Sequence, residues 1–376
     1  MGRRKTWPAH SQLPFLESWV NSTSMLESIY YVITWACRRA CPHCYDERLR
    51  PYPAAELQEL TRRSRDSFPE IIENFPETLL YTDLEDQQED GTFGRKAGRI
   101  VISGGEVLLD PVRTEVLYPL LEALNSRYAN HGGVKLVIQT AGDLLTPAIV
   151  QDLLQRNVWM ISVSSLDDFH GVLLNEGREA FRARLASMFK SSGMAQSGLQ
   201  STVRKWSDEQ GPVYSFFGAT PDAWIGKLWP SGRAWANGLS RATFKDNFCS
   251  NWSGGLNFLN VGFSGSEVAI DPEGNLFPCC RKTRLPYGNL KEEPLLDILR
   301  SLVGRPEFEA LAMGHPERMG LVHGVDLPRF VELSRLTNPK GEAYANPCIG
   351  CDRIHERFLA PVLEELRRKR RCEGTS

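Results

Sequence analysis

The sequence has no long apolar run. Nothing in its 376 residues approaches the roughly 20 consecutive apolar residues that a membrane span requires, so no association with a membrane is expected. It also lacks a charge excess. With 44 Lys and Arg against 46 Asp and Glu, the net charge is −2, which gives no global electrostatic reason to expect nucleic acid or an anionic surface as partner. The basic opening Met-Gly-Arg-Arg-Lys-Thr-Trp-Pro is not followed by an apolar segment, so no signal peptide is expected and the protein is read as cytoplasmic. No repeat of solenoid type is present. What the chain does have is cysteine. Nine cysteines would be out of place as disulfides in a reducing compartment. Three sit together at Cys37, Cys41 and Cys44, five lie late at Cys249, Cys279, Cys280, Cys348 and Cys351, and Cys372 is read as a free thiol in the tail. Clustered cysteines of this kind more often bind metal or take part in catalysis.

Apolar residues make up 41% and charged residues 24% of the chain. Both values are ordinary for a soluble globular protein with a sizeable core. The first two-thirds alternates strand-like and helix-like segments. The runs 28–35 (SIYYVITW), 99–103 (RIVIS), 134–139 (VKLVIQ), 158–163 (VWMISV) and 213–217 read as strands, being β-branched and aromatic. Residues 54–68, 115–128 and 179–189 read as helices, and Thr146-Pro147 as a helix start with Thr as N-cap and Pro at the first helical position. This alternation implies βαβ units on a parallel sheet, wound by right-handed crossovers into a barrel or an open doubly wound sheet. The polar stretches 77–98 and 191–203 are expected to be solvated loops. From about Asn237 the pattern changes. Residues 266–280 read as a hairpin around Asp-Pro-Glu-Gly, residues 294–302 as a helix, and an Arg/Glu-rich helix closes the chain. This is expected to be a second, smaller unit.

Cys37-Arg-Arg-Ala-Cys41-Pro-His-Cys44 has the spacing C-x3-C-x2-C directly after the first strand, on the face where a parallel α/β barrel forms its active site. Three thiolates can hold three irons of a [4Fe–4S] cube and leave the fourth open to a ligand. A zinc site would need a fourth donor, for which His43 is the candidate.

The triplet, with Pro-His before its last Cys and Tyr45 after it, resembles the radical S-adenosylmethionine (radical SAM) superfamily. That resemblance implies an α/β fold, a partial (β/α)6 TIM-like barrel with a small C-terminal α+β cluster-binding domain. It divides the chain into an N-terminal extension (1–27), the barrel (28–236) and the auxiliary unit (237–376). It also implies that Cys37, Cys41 and Cys44 bind a [4Fe–4S] cluster whose open iron is chelated by SAM. His43 would lie against SAM. Gly104-Gly105-Glu106, after the second strand, resembles the family's GGE motif that meets the SAM amino group. Glycines allow close backbone approach, and a carboxylate accepts strong bonds from an ammonium. Thr140, in Gln-Thr-Ala-Gly, and Ser162 and Ser164, in Ser-Val-Ser-Ser-Leu-Asp, resemble the family's SAM-contacting ends of the next two strands. The chain departs from the family after His170, where the nearest Arg is Arg178. Trp229-Pro-Ser-Gly232-Arg233-Ala234 echoes a GRA segment of relatives. The implied reaction is reductive cleavage of SAM to a 5′-deoxyadenosyl radical that removes a substrate hydrogen atom, with the electron coming from an external flavodoxin- or ferredoxin-type donor.

The later cysteines, in Gly274-x4-Cys279 and Cys348-x2-Cys351, resemble the Twitch and SPASM auxiliary-cluster domains, the smaller Twitch form fitting better. The ligands of a second [4Fe–4S] cluster are expected to be Cys249, Cys279, Cys348 and Cys351, with Cys280 the rival for Cys279. A four-cysteine zinc knuckle has comparable needs. Only 36 residues precede Cys37, too few for a peptide-recognition domain. That favours oxidation of a small molecule, such as an alcohol or sugar-like compound, over peptide cross-linking or epimerisation. The reading of another class is a non-catalytic zinc or iron–sulfur protein. Asp143, Asp167 and Asp168 are candidate bases, and nothing in the sequence selects among them.

Overall fold

Five consecutive β-branched, aromatic and small residues, Ser28–Val32, form β1, and all five are buried. A strand buried on both faces belongs inside a parallel sheet. The computed structural model describes residues 26–167, 169–170, 177–198, 210–218, 227–250 and 254–373. The first helix, α1 (Ala54–Glu73), runs past the expected end and through Pro69. Phe68, Ile71 and Ile72 are all buried there, and that apolar stripe outweighs the lost backbone bond.

The stretch 77–98, expected to be a loop, is instead a hairpin of β2 (Leu80–Gln87) and β3 (Phe93–Ala97). The turn uses Gly91 at φ +85° beside Asp90, whose carboxylate accepts from the Thr92 amide at 2.9 Å. Acidic composition hid the period-2 pattern: Tyr81 and Asp83 point inward, and Asp83 pairs with Lys96 at 2.9 Å.

The sheet continues with β4 (Arg99–Ser103), β5 (Lys135–Thr140) and β6 (Val158–Val163). A π-helical turn leads into α2 (Tyr118–Tyr128). α3 (Pro147–Gln155) starts at Thr146, whose hydroxyl accepts from the Ile149 amide at 3.2 Å. α4 is Arg178–Ser191. Of the other expected loop, the described residues 191–198 include the two-residue strand β7 (Ala195–Gln196), and 199–203 lie outside the described residues. β8 (Val213–Phe216) follows, then the short helix α5 (Gly232–Ala236).

β9 (Glu267–Ile270), β10 (Asn275–Phe277) and β11 (Gly288–Asn289) follow the change in sequence pattern, yet they belong to the same sheet. Its order is β11-β10-β9-β1-β4-β5-β6-β8-β7. It is parallel from β9 to β7 and antiparallel across β9, β10 and β11. Side chains alternate along the central strands. Ile29, Tyr31, Ile100, Ile102, Leu136 and Ile138 join the larger apolar cluster that includes residues of the helices. Tyr30, Val32, Val101, Val137, Met160 and Ala269 form a second cluster on the other face. Arg99 ties β4 to β1 and, across it, to β9: its guanidinium lies 3.5 Å from Glu27, just before β1, and from Glu267 of β9, and Nε donates to the Ser28 hydroxyl at 3.0 Å.

The remaining elements are mostly helical, namely α6 (Leu295–Leu302), α7 (Pro306–Ala312), α8 (Leu327–Leu333), α9 (Pro347–Ile354) and α10 (Ala360–Glu373), with a small antiparallel hairpin of β12 (Arg335–Thr337) and β13 (Ala343–Ala345) between α8 and α9. The basic run on α10 is used as a clamp. Arg367 and Arg371 pair with Glu292, and Arg370 with Glu293 at 2.7 Å. Among the described residues, no helix is long and apolar enough to cross a membrane.

Candidate functional site

β1 stops at Val32 rather than at the expected Trp35, and the chain turns into the loop carrying Cys37, Cys41 and Cys44. Two backbone contacts pin this loop. The Cys37 amide donates to the Arg50 carbonyl at 3.0 Å, and the Cys44 amide to the Cys41 carbonyl at 3.2 Å. The Gly232–Ala234 segment does the rest. Arg233 donates to the carbonyls of Cys41 (2.9 Å), Glu47 (3.1 Å) and Leu49 (2.7 Å), and the Ala234 amide to that of Cys44 at 3.1 Å. Gly232 has φ +54°, and a Cβ there would sit 2.4 Å from the Tyr45 backbone, so only glycine allows the approach. Arg233→Ala is therefore expected to leave three backbone carbonyls short of a donor and to loosen the triplet loop, read as faster alkylation of Cys37, Cys41 and Cys44 than in the wild type.

The end of β4 lies against the same loop. The Gly105 amide donates to the Thr34 carbonyl at 3.0 Å and the Glu106 amide to that of Ala36 at 2.9 Å. A Cβ at Gly105 would lie 2.1 Å from the Ala36 carbonyl oxygen. A cavity of about 190 Å³ opens here, lined by Cys37, Cys41, Cys44, His43, Gly104, Gly105, Glu106, Thr140 and Ser164. Ser162 does not line it. Its hydroxyl pairs with that of Ser215 at 2.8 Å. Arg178 begins α4 and does not line it either.

Glu106 is 2% exposed. One carboxylate oxygen accepts from the Leu108 amide (3.0 Å) and the Thr140 hydroxyl (2.8 Å), the other from the Ala141 amide (2.9 Å). An ionised carboxylate has about four acceptor positions, so three are filled and the cavity side keeps one for a cation. Burial raises its pKa, against the pull of those bonds. Burial also lowers His43 to about 4, with His170 adding to the effect. The His43 ring stacks on Phe169 with centroids 5.3 Å apart and meets His170 edge-on at 4.4 Å. His43 Nδ1 is buried and has no hydrogen-bond partner among the described residues.

The candidate bases separate. Asp143 is paired with Arg38 (3.2 Å) and Arg39 (2.5 Å). Asp167 accepts from the amides of Phe169 and His170 and faces His170 Nδ1 at 2.9 Å. Asp168 lies outside the described residues. Sequence reasoning missed Tyr30, Arg39 and Lys227 on the cavity wall. The paired Arg38-Arg39 inside the triplet was the available signal for Arg39.

The late cysteines divide. Cys249 lies in a 3-10 turn and Cys348 and Cys351 on α9, which is capped by the Asn346 carboxamide accepting from the Cys348 amide at 3.0 Å. Burial raises the pKa of the Cys249 thiol, and Cys348 and Cys279 raise it further. Cys351 is raised by burial and then by Cys249, and burial pushes Cys348 up to about 12. These four thiols are thus within electrostatic reach of one another. Burial likewise pushes Cys37 up to about 12 and Cys41 to about 11. Such thiols ionise readily only with a cation to bind, so metal loading releases protons. Cys280 leaves the late group and lines the first cavity, and Cys372 is exposed.

The residues Cys279 to Lys282 make one tight turn, closed by the Lys282 amide donating to the Cys279 carbonyl at 3.0 Å. Lys282 takes φ +66°, strained for a residue with a Cβ. Its ammonium lies 3.2 Å from Asp46 and 5.1 Å from the ring centres of both Trp35 and Tyr45. Burial pushes the Asp46 carboxyl up, but Arg48 and Lys282 outweigh it and hold Asp46 at about 2. Because that value is depressed, the stabilisation is present above the ordinary 3.8 and is lost as pH falls toward 2. Asp46→Asn is expected to flatten the acid limb of a urea-midpoint against pH curve.

Residues 263–317 match the SPASM family model, described as an iron-sulfur cluster-binding domain. No curated protein matches the chain. Among solved structures the chain is similar to BtrN in complex with AdoMet and 2-DOIA, at 16% identity and TM-score 0.38 over 78% of this chain and 90% of that one. It is similar to anSMEcpe with bound AdoMet and Kp18Cys peptide, at 12% identity and TM-score 0.40 over 90% and 98%. It is also similar to SuiB of Streptococcus suis bound to S-adenosylmethionine, at 12% identity and TM-score 0.32 over 73% and 65%.

Proposed function

We propose that this chain is a radical SAM enzyme with an auxiliary iron–sulfur unit. One observation carries the reading: three thiols of one loop and the Gly104–Glu106 segment line a single cavity. The donor set fits a cluster better than zinc. A single zinc, with Zn–S about 2.3 Å, gathers its sulfurs within roughly 4 Å of one another. Among the described residues, the group of His, Cys, Asp or Glu whose ligand atoms all lie within 4.8 Å of one another is His43, Asp167 and His170, and it contains no cysteine. The thiol sets do not close to that spacing, and thiolates are the ordinary ligands of iron–sulfur cubes.

Cys37, Cys41 and Cys44 would hold the SAM-binding [4Fe–4S] cluster, and Cys249, Cys279, Cys348 and Cys351 the second one. With SAM bound, the first cluster supplies a 5′-deoxyadenosyl radical. Glu106 offers its remaining acceptor position to the SAM ammonium, and neutral His43 offers a flat ring and a free nitrogen. Thr140 orients Glu106, and Ser164 places a hydroxyl on the same wall. The SAM-binding unit would be built on residues 28–236 and the auxiliary unit on the chain from about 237, with β9 to β11 completing the sheet of the first. The second cluster would take part in oxidising the substrate, and a flavodoxin- or ferredoxin-type donor would supply the first electron.

Anaerobic reconstitution followed by dithionite and SAM tests the reading. Iron and sulfide sufficient for two clusters and formation of 5′-deoxyadenosine are expected. Protein with stoichiometric zinc and no iron overturns it. Glu106→Gln is expected to keep its clusters and bind SAM roughly 10- to 100-fold more weakly, the equivalent of about 1.5–3 kcal/mol for a bond to a charged group, as read by equilibrium dialysis.

A further inference from the structure

Two guanidiniums on the cavity wall share a single carboxylate. Arg38 and Arg39 sit between Cys37 and Cys41, and both line the cavity. Both reach the same oxygen of Asp143, Oδ2, at 3.2 and 2.5 Å. Two cations on one anion leave one positive charge over. The sharing also leaves atoms idle. Asp143 Oδ1 and Arg39 Nε are buried without a hydrogen-bond partner among the described residues, as is His43 Nδ1. Arg39 makes one further contact, a long one of 3.4 Å from Nη1 to the His170 carbonyl. Its side chain is 27% exposed, against 42% for Arg38, so water compensates Arg38 better than Arg39. A largely buried guanidinium with an idle N–H calls for an anion.

We propose that Arg39 binds the carboxylate of the same ligand whose ammonium Glu106 takes, so that the two side chains together recognise the amino-acid end of SAM. This rests on the reading of the cavity as a SAM site. One short segment ties the two together. The Ala141 amide donates to Glu106 at 2.9 Å, and Asp143, two residues further on, holds Arg39. Arg38 remains on Asp143 when Arg39 engages the ligand. A planar guanidinium presents parallel N–H groups that match a carboxylate, which a lysine ammonium does not. The other cations of the cavity wall are already committed. Arg233 donates to the carbonyls of Cys41, Glu47 and Leu49, and Lys227 is paired with Asp246 at 2.7 Å. Arg178 does not line the cavity. Among the described cations there, Arg39 is the one with a buried donor left over.

The test compares two ligands by equilibrium dialysis against the anaerobically reconstituted full chain. One is SAM. The other is decarboxylated SAM, which keeps the ammonium and the sulfonium and lacks only the carboxylate. Arg39→Gln is expected to weaken SAM roughly tenfold, as for loss of a hydrogen bond to a charged group, and to leave decarboxylated SAM bound as in the wild type. Arg39→Lys, which keeps the charge and loses the planar fork, is expected to recover part of the SAM affinity. Glu106→Gln weakens both ligands alike, because both carry the ammonium. Equal weakening of both ligands in Arg39→Gln assigns Arg39 to the shape of the loop and overturns the inference, as does no weakening of either. If Arg39→Gln does not retain its iron, Arg39→Lys carries the same comparison: weakening of SAM alone supports the inference, and equal or no weakening overturns it. Wild-type protein that binds neither ligand removes the SAM reading and this inference together. Wild-type protein that binds SAM, with no loss of discrimination in the Arg39 variants, removes this inference alone.

Discussion

Cys41→Ala protein, purified and reconstituted without oxygen, is expected to hold about half the iron and sulfide of the wild type and to form no 5′-deoxyadenosine. The triplet loop itself supplies three sulfurs, and Cys280, which lines the same cavity, comes from a separate segment, the turn after β10. Two thiolates cannot replace three in holding a cube. The four late thiols are on other elements and keep their cluster, so the remaining iron reports on them. Cys279→Ala is the mirror experiment. It is expected to lose the other half of the iron and keep the SAM-induced change in the first cluster's EPR signal. Loss of all iron in either variant would mean the two sets are not independent sites.

The largest expected loss of stability is at Arg99, away from the thiols. Its side chain is 5% exposed and lies between Glu27, also 5% exposed, and Glu267 at 10%. Arg99→Met leaves both carboxylates without that guanidinium and removes the donor to Ser28. Breaking a buried ion pair from one side costs about 3–5 kcal/mol, a large fraction of the ~5–15 kcal/mol that a folded domain has. The measurement is the urea midpoint, taken with the slope to exclude a change in the unfolded state. Adding Glu267→Gln to Arg99→Met is expected to recover part of the loss, because it removes one of the stranded charges. A double variant no more stable than the single would place the damage in packing.

The central strands were legible in the sequence because each is a β-branched or apolar run bounded by polar turns. Residues 99–103 and 158–163 match the observed strands residue for residue. β1 was read three residues too long because Ile33, Thr34 and Trp35 are also buried; burial without pairing looks the same in one dimension. The 80–97 hairpin was missed because Asp83, Glu85 and Asp86 interrupt the apolar residues of β2 and β3 is short and basic. The parallel pairing of β9 with β1 had no local signature at all, since the partners are far apart in the chain. The residues around the candidate site divide in the same way. Cys37, Cys41, Cys44 and Gly104–Glu106 are contiguous motifs. The engagement of Ser162 by Ser215, the Arg39–Asp143 pair and the division of Cys279 from Cys280 depend on the tertiary arrangement, which spacing does not encode.

The pairing of β1 with β9 has a consequence for biosynthesis. Ser28 and its hydrogen-bonded partner Glu267 are 239 residues apart. At a ribosomal rate of about 5–20 residues per second, roughly 12–48 s separate their emergence. During that interval β4 can cover one side of β1, while the other side presents unpaired amides and carbonyls to whatever is nearby. A nascent chain of this protein is thus exposed to strand addition by neighbours until its last third is made. Folding yield in cells should therefore respond to chaperone supply and growth temperature more steeply than the finished molecule's stability would suggest.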